Sequence, residues 1–194
     1  MENYQDKVVV ITGSAGGIGY ALAKQFGIAG ARVVLSDLDE QRLRSAVATL
    51  ETLGIESTAC VCDVTQRPQV QALAEHALSA YGHVDVLVNN AGINHAPEPL
   101  IDMDLEAFRR IYEVNVFGVL NGIQVFGRIF RDRGSPAGIY NLGSENSIYP
   151  CVPSSHPYVS SKHAVLAITE LLAEETPDFI EVALIMPGLV ESDM

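Results

Sequence analysis

The feature that most constrains the fold is a regular alternation of short apolar runs with longer amphipathic segments. The short runs are rich in valine and isoleucine, which is typical of strands that are buried on both faces. They cover residues 7–12, 32–37, 57–62, 84–89, 138–142 and 180–185. Helical periodicity occupies the intervals, at residues 18–29, 40–53, 67–81, 104–130 and 158–175.

Repeated strand–helix–strand units with short connections predict a parallel sheet with right-handed crossovers and helices on both faces. We therefore predict a doubly wound α/β fold with strand order 3-2-1-4-5-6. The 194 residues are 48% hydrophobic, which indicates one globular domain over residues 1–194 with a full core. In such a sheet, ligands bind beyond the carboxyl ends of the strands, where the strand order reverses.

Charge argues against two classes of partner. The chain has 12 basic and 24 acidic side chains and a net charge of -12, which opposes binding to nucleic acid or to an anionic membrane. No segment approaches the roughly 20 apolar residues of a membrane span, and residues 1–7 are unlike a secretory signal. We expect a cytoplasmic protein. Cys60 and Cys62 are expected to be buried, reduced thiols rather than zinc ligands, so no metal site is predicted.

A glycine-rich turn follows the first predicted strand and opens the first predicted helix. It reads Thr-Gly-Ser-Ala-Gly-Gly-Ile-Gly from Thr12 to Gly19. A turn without bulky side chains lets the backbone approach a pyrophosphate, whose charge is stabilised by the amides and the dipole at the start of the helix. The turn therefore indicates a dinucleotide-binding site.

The second predicted strand ends in Asp37, where a carboxylate can accept hydrogen bonds from a ribose diol. Asp37 could also cap the helix that begins near Asp39, and the two interpretations are compatible. An acid at this position repels a 2′-phosphate, and neither Ala15 nor Leu38 offers a cation to receive one. NAD is therefore preferred to NADP.

Tyr158 and Lys162 are four residues apart in a predicted helix, so they share one of its faces. A free phenol has a pKa of about 10, so a tyrosine that exchanges protons near pH 7 needs its anion stabilised by about 4 kcal/mol. An ammonium beside it can supply part of this stabilisation. By spacing alone, an ordinary surface pair on an amphipathic helix is the alternative.

Together these motifs resemble those of the short-chain dehydrogenase/reductase family, of the type with a Tyr-x-x-x-Lys pair and a Rossmann-like fold. The turn has the family's Thr-Gly-x-x-x-Gly-x-Gly spacing, and residues 89–92 match its Asn-Asn-Ala-Gly block. Further matches follow in the family's order: Asp63-Val64, Asn115, Ser144 and Pro187-Gly188. Asp63 and the asparagine block could instead be turn residues, although the resemblance implies that the asparagines tie strands together as well as line the cofactor. Asn115 could be an exposed polar residue or a bonded core residue.

The resemblance implies an oxidoreductase that transfers a hydride between nicotinamide and a small-molecule secondary alcohol or ketone. Tyr158 would exchange a proton with the substrate oxygen, Lys162 would bind the nicotinamide ribose and lower the tyrosine pKa, and Ser144 would hold the substrate oxygen. Asn115 would position a water that links Lys162 to solvent. The implied cofactor contacts are Gly13, Ser14, Gly17, Ile18, Gly19, Asp37, Leu38, Asp63, Val64, Asn90, Ala91, Gly92, Tyr158, Lys162, Pro187, Gly188 and Val190.

Other polar residues near the proposed site leave the substrate open. Ser147 and several serines near Tyr158 compete with Ser144, which is preferred because it directly follows a strand. The residues that could face a substrate are Asn94, His95, Glu145, Asn146, Tyr149 and His156. The polar pair after Ser144 suggests a hydroxylated or polar substrate.

Family members normally continue beyond the Pro-Gly pair into a substrate-covering segment and a seventh strand, so we expect these 194 residues to be part of a longer chain. The resemblance also implies a homo-oligomer, a dimer or a tetramer, formed through helices 104–130 and 158–175. Two alternative functions stay open. One is a dinucleotide-binding sensor or interaction protein without turnover, and the other is an enoyl reductase, whose tyrosine and lysine are generally spaced more widely.

Overall fold

The computed structural model describes residues 3–149 and 155–190 and contains a six-stranded sheet in which every pairing is parallel. The strands are β1 (Val8–Thr12), β2 (Arg32–Asp37), β3 (Ser57–Val61), β4 (Val86–Asn89), β5 (Ala137–Leu142) and β6 (Ile180–Ile185). Their order, β3-β2-β1-β4-β5-β6, confirms the predicted topology. The order reverses between β1 and β4, so the carboxyl ends of these two strands border the crevice in which such folds bind ligands.

Helices connect the strands: α1 (Gly17–Ile28), α2 (Glu40–Thr52), α3 (Arg67–Tyr81), α4 (Leu105–Tyr112), α5 (Gly118–Arg133) and α6 (His156–Glu175). The single helix predicted at 104–130 is instead divided, because a π-helix (Glu113–Phe117) separates α4 from α5. Such turns insert an extra residue into a helix and are frequent at functional sites. A short 3₁₀ helix, Glu145–Ser147, follows β5.

Two apolar layers enclose the sheet. On one face Val8 packs in a cluster with Phe126 of α5, and on the other Val9 packs in a cluster with Leu43 and Leu50 of α2. Successive residues of one strand enter opposite layers because side chains alternate across a sheet. The helices on both faces therefore leave the two ends of the strands as the places where polar residues can collect.

Only the central strands are buried on both of their faces. Every residue of β1, β4 and β5 is buried, whereas β3 contains no fully buried residue and β6 contains one, Ile180. The prediction of burial on both faces is thus wrong for β3 and β6. Within the part of the chain that the structure describes, these two strands form the edges of the sheet and have a neighbour on one side only.

At the amino edge of the sheet, Asp85 is a buried carboxylate, 3% exposed, with several partners. It accepts a hydrogen bond from the Val8 amide over 2.9 Å and pairs with Arg133 and His83, each at 3.1 Å, and with Lys7 at 3.6 Å. The cluster ties the start of β1 to the segment before β4 and to the end of α5.

None of the helices in the described ranges combines the length and the hydrophobicity needed to cross a membrane. The same ranges contain no group of three or more histidine, cysteine or acidic side chains arranged to hold a metal ion. Cys60 and Cys62 are free thiols, and burial raises the pKa of Cys62 to about 11, which keeps it protonated near neutral pH. Cys60 is only partly buried.

Candidate active site

The glycine-rich turn lies at the carboxyl end of β1, against the loop that follows β4. Gly13 has a φ of +62°, and a Cβ at this residue would lie 2.7 Å from the Ala91 Cα. A Cβ on Gly19 would lie 2.3 Å from the Gly13 carbonyl oxygen. Glycine alone fits both positions. The turn therefore presents bare backbone at the start of α1, where helix amides lack intrahelical partners.

Asparagines after β4 hold this arrangement together. The Asn90 side chain donates to the carbonyl oxygens of Thr12 and Gly13, each over 2.8 Å, and its backbone amide donates to the Thr12 hydroxyl over 3.1 Å. The Asn89 side chain donates to Asn141 Oδ1 over 2.8 Å and so links β4 to β5. The prediction that these asparagines tie strands together is confirmed.

Ser14, the residue after Gly13, bonds to the neighbouring strand. Its hydroxyl is fully buried, donates to the Ile11 carbonyl over 2.7 Å and accepts from the Ser36 amide over 2.9 Å. Its own amide donates to the Ser36 carbonyl over 3.0 Å. The hydroxyl and the amide of Ser14 therefore brace β1 against β2, and a contact of Ser14 with the cofactor stays a prediction.

Asp37 ends β2 beside the turn and is partly exposed. Its Oδ2 accepts from the Ala15 amide over 3.2 Å, and its Oδ1 accepts from the Leu38 amide over 2.8 Å. The cap of α2 is Asp39, whose carboxylate accepts from the Arg42 amide over 3.0 Å. Asp37 is therefore not the cap of this helix. Its carboxylate faces the turn at the carboxyl edge of the sheet.

Asp63 and Val64 follow β3 and are held mainly by local contacts. Asp63 Oδ1 accepts from the amide and the hydroxyl of Thr65, over 2.9 and 2.8 Å. Val64 is 8% exposed, and its carbonyl accepts from the Asn121 side chain over 2.9 Å. The interpretation of Asp63 as a turn residue is confirmed, and a contact of this pair with adenine stays a prediction.

The π-helix places Asn115, which is fully buried, between the loop after β4 and α6. Its Nδ2 donates to the Ile93 carbonyl and to the Ser161 hydroxyl, each over 3.0 Å, and its Oδ1 accepts from the Ile93 amide over 2.8 Å. These contacts confirm that Asn115 is a bonded core residue. Its side chain joins two elements of the site, and the predicted role in holding a water stays a prediction.

Tyr158, in the first turns of α6, meets Ser144 across the site. Burial raises the pKa of Tyr158, and a side-chain hydrogen bond with Ser144 lowers it. Ser144 is 6% exposed, and its hydroxyl also accepts from the Asn146 amide over 3.2 Å. The competing Ser147 is fully buried and accepts from the Ser144 amide over 3.0 Å. Of these two serines, Ser144 is thus the one that shares a hydrogen bond with the Tyr158 side chain.

Lys162 is 4% exposed and lies near the Tyr158 ring. Its Nζ donates to the Leu142 carbonyl over 2.7 Å and lies 5.7 Å from the centre of the Tyr158 ring. Desolvation lowers the pKa of Lys162 to about 8. A lowering of the tyrosine pKa by Lys162 stays a prediction. Burial dominates at Tyr158, and the hydrogen bond of Ser144 is what acts against it.

Comparison with known proteins decides the family. A family model described as "short chain dehydrogenase" matches residues 7–194. The chain belongs to the short-chain dehydrogenase family. This membership makes the protein an oxidoreductase and agrees with its Rossmann-like sheet.

Individual relatives cover nearly the whole chain. It is 37% identical to 3beta-hydroxysteroid dehydrogenase 1 of Eggerthella lenta, over 98% of this chain and 73% of that protein. It is 35% identical to 1-deoxy-11-beta-hydroxypentalenate dehydrogenase of Streptomyces exfoliatus, over 98% of this chain and 70% of that protein. The crystal structure of a short-chain dehydrogenase/reductase from Burkholderia phymatum in complex with NAD superposes with a TM-score of 0.94 at 36% identity, covering 99% of this chain and 69% of that one.

In this short-chain dehydrogenase the segment after β6 returns to the site. The Pro187 carbonyl accepts from the Glu145 amide over 3.1 Å, and a Cβ on Gly188 would lie 3.5 Å from Glu145 Oε2. Val190 is 47% exposed, and Leu38, at the other end of the site, is 61% exposed. The predicted residues after all six strands therefore lie along one edge of the sheet.

The residues predicted to face a substrate differ in exposure, and His95 and His156 are partly exposed. Asn94, Glu145 and Tyr149 are exposed, the last by 72%. Asn146 is 6% exposed, and its side chain donates to the Ser144 hydroxyl over 3.4 Å. The exposed residues remain available to a substrate, whereas Asn146 helps to hold Ser144.

Sequence reasoning missed three contacts of the dehydrogenase site. The Thr12 hydroxyl anchors the loop after β4, Ser161 connects Asn115 to α6, and the Leu142 carbonyl accepts from Lys162. The family spacing gave a signal for the first two, since Thr12 begins the glycine motif and Ser161 directly precedes Lys162. A backbone carbonyl carries no such signal.

Proposed function

We propose that this short-chain dehydrogenase transfers a hydride between a secondary alcohol or ketone and NAD, with Tyr158 as general acid and base. The observation that carries the proposal is the arrangement of Ser144, Tyr158 and Lys162. Ser144 shares a hydrogen bond with the tyrosine side chain, and the Lys162 ammonium lies 5.7 Å from its ring centre. A phenol can exchange a proton with an alcohol or carbonyl oxygen, while a serine hydroxyl beside it holds the same oxygen.

The residues present fit a nicotinamide dinucleotide. The glycines of residues 13–19 leave backbone amides open to a pyrophosphate at the start of α1, and Asp37 can accept hydrogen bonds from the adenosine ribose. When bound, NAD supplies the hydride acceptor. The NAD held by the Burkholderia phymatum protein supports this choice. Asp37 repels a 2′-phosphate, so NAD is the preferred cofactor.

The protein's own residues move the proton. In alcohol oxidation Tyr158 accepts the hydroxyl proton as its phenolate, which the hydrogen bond from Ser144 favours. Lys162, with a pKa of about 8, is largely charged at neutral pH and can donate to the nicotinamide ribose. Asn115 holds Ile93 against α6 and so fixes the loop beside Lys162. In ketone reduction the proton moves in the opposite direction.

Two observations indicate the substrate class: the names of the relatives and the exposed surface beside the site. The two relatives are named for a hydroxysteroid and a hydroxypentalenate, which supports a hydroxylated hydrophobic substrate. Exposed apolar residues follow β6, with Met186 at 42%, Leu189 at 100% and Val190 at 47%. Glu145 adds an exposed polar group near Ser144, so polyols and sugars belong in the test panel.

The test measures NADH formation with purified protein, NAD and a panel of hydroxysteroids, terpenoid alcohols, polyols and sugars. We expect turnover with one class of alcohol, loss of turnover in Tyr158→Phe, and retention in Tyr81→Phe, a tyrosine at the end of α3. NAD binding without turnover of any alcohol would instead favour the second candidate, a dinucleotide-binding sensor. Reduction of an enoyl substrate alone would favour the third.

We also propose a homo-oligomer, a dimer or a tetramer, that uses the α4–α5 segment and α6. Large apolar side chains are exposed there: Leu105 by 64%, Phe117 by 49% and Leu171 by 63%. Contiguous apolar patches mark protein interfaces, and these side chains are the apolar surface that the proposed interface would cover. Light scattering coupled to size-exclusion chromatography measures the stoichiometry directly, and a monomer at micromolar concentration would contradict the proposal. The cytoplasmic location stays a prediction.

A further inference from the structure

Arg42 lies over the glycine-rich turn although it belongs to α2. A Cβ on Gly16 would lie 2.4 Å from the Arg42 Nη2 and 3.4 Å from its Cζ. The guanidinium therefore occupies the space that a side chain at position 16 would need. Gly16 has a φ of -169°, an extended conformation that any residue adopts. The backbone does not require glycine here, and a side chain at position 16 would displace the flexible end of Arg42.

Arg42 and Asp37 flank the same piece of the turn. The Ala15 amide donates to Asp37 Oδ2 over 3.2 Å, and the next residue, Gly16, lies under the guanidinium. Within residues 3–149 and 155–190, the Arg42 guanidinium forms no hydrogen bond or ion pair, whereas its backbone amide donates to the Asp39 cap of α2 over 3.0 Å. An exposed cation and a carboxylate thus contact neighbouring residues of the turn.

The surroundings of Arg42 leave room for a ligand group. An open cavity of ≈ 420 Å³ lies between α1 and α2, and Ala15, Tyr20 and Arg42 are among its lining residues. The cavity begins at the turn, on the side where Asp37 ends β2. A group larger than a hydroxyl can therefore be accommodated next to the guanidinium.

We infer that Arg42 binds a phosphate at the adenosine ribose, so that the site accepts a 2′-phosphorylated dinucleotide in addition to NAD. The inference rests on the proposed function, because it takes Asp37 to bind that ribose. A guanidinium offers a planar fork of donors that suits phosphate oxygens. Asp37 sets the preference for NAD by repelling the phosphate, and Arg42 reduces that preference. The cation that Ala15 and Leu38 lack comes from the neighbouring helix.

The test uses two fragments that differ only in the 2′-phosphate, AMP and adenosine 2′,5′-bisphosphate. Calorimetry measures their affinities for the wild type, Arg42→Gln and Arg44→Gln. We expect Arg42→Gln to lower the affinity for the bisphosphate, relative to AMP, about tenfold. Arg44 is the matched control, because it pairs with Glu40 on the same helix and its loss removes the same charge.

Two further measurements sharpen the result. For the wild type, the ratio of bisphosphate affinity to AMP affinity should fall as the salt concentration is raised, because salt screens exposed charge pairs. For Arg42→Gln, this ratio should depend less on the salt concentration. Asp37→Asn should raise the affinity for the bisphosphate, because it removes the repulsion while Arg42 remains. Either result in the opposite direction would contradict the inference.

The outcomes separate the inference from the proposed function. Suppose that the wild type binds NAD and that Arg42→Gln leaves the ratio of bisphosphate to AMP affinity unchanged, or lowers both affinities equally. Arg42 then does not bind the 2′-phosphate, and the proposed function stands. If the wild type binds neither NAD nor AMP, the dinucleotide site itself is wrong, and the inference fails with it.

Discussion

The Asn115 side chain donates a hydrogen bond to the Ser161 hydroxyl over 3.0 Å and so joins the π-helix to α6. Ser161 in turn donates to the Tyr158 carbonyl over 2.7 Å. Both Asn115 and Ser161 are fully buried, so water cannot readily replace the bonds between them. The same Asn115 side chain holds Ile93 through both backbone groups. The position of the tyrosine relative to the loop after β4 therefore depends on this pair.

Two substitutions measure how much each residue of this pair contributes to stability: Asn115→Ala and Ser161→Ala. Asn115→Ala leaves the partly buried backbone groups of Ile93 without their partner and removes the buried bond to Ser161, so we expect the free energy of unfolding to fall by about 2 kcal/mol. Ser161→Ala removes fewer bonds and should cost about 1 kcal/mol. Urea denaturation measures both changes. Equal losses in the two variants would show that the contacts to Ile93 add nothing to stability.

Ser144→Ala should move the pH profile of alcohol oxidation. The hydrogen bond from Ser144 lowers the pKa of Tyr158, so its removal raises that pKa. A base must be deprotonated to act, and the rise of kcat/KM with pH therefore shifts to higher pH. We also expect a rate loss of about 100-fold from the missing hydrogen bond to the substrate oxygen.

Ser160→Ala is the matched control for that profile. The Ser160 hydroxyl donates to the His156 carbonyl of its own helix, so its loss should leave the profile in place. A Ser144→Ala enzyme with reduced rate but an unshifted profile would mean that Ser144 orients the substrate without affecting the tyrosine.

Lys162→Met should stabilise the protein near neutral pH. Burial lowers the pKa of Lys162 from 10.5 to about 8, so the folded state disfavours the protonated form. This cost is fully present below about pH 8 and disappears as the pH rises to 10.5, where the unfolded chain also loses its proton. The substitution also removes the bond to the Leu142 carbonyl, which offsets part of the gain. We therefore expect the free energy of unfolding at neutral pH to rise by about 2 kcal/mol.

Urea denaturation at pH 7 and at pH 9.5 tests this expectation. The stability difference between Lys162→Met and the wild type should narrow at the higher pH. Lys24→Met, at a partly exposed position of α1, provides the control. A variant that is less stable than the wild type at both values would mean that the hydrogen bond to Leu142 outweighs desolvation.

Asp85→Asn should destabilise the fold without touching the candidate site. The substitution leaves the partly buried Arg133 without its charged partner, and we expect the free energy of unfolding to fall by about 3 kcal/mol. The cluster lies at the amino edge of the sheet, so NAD affinity should not change. Asp132→Asn, an exposed acid paired with Arg131, should have little effect on stability. Loss of NAD binding in folded Asp85→Asn would show that the two edges are coupled.

Local patterns were sufficient for the strands, their order and most helix boundaries. The alternation of valine-rich runs with helical periodicity is a property of neighbouring residues, and short crossovers of one hand leave few topologies. The division of the helix at 104–130 was not predictable in this way. Within the π-helix, Asn115 bonds to Ile93 and Ser161, which are 22 and 46 residues away in the chain.

The sequence by itself determined which chemical groups are present and on which edge of the sheet they collect, because parallel strands bring the residues that follow them to one end. Only the tertiary structure decided their environment. The pKa of Lys162 depends on the atoms that exclude water from it, and its partner is a backbone carbonyl 20 residues away. Likewise, Arg42 reaches Gly16 only because α2 packs beside the turn. Such contacts join distant parts of the chain, and all backbone carbonyls look alike in a sequence.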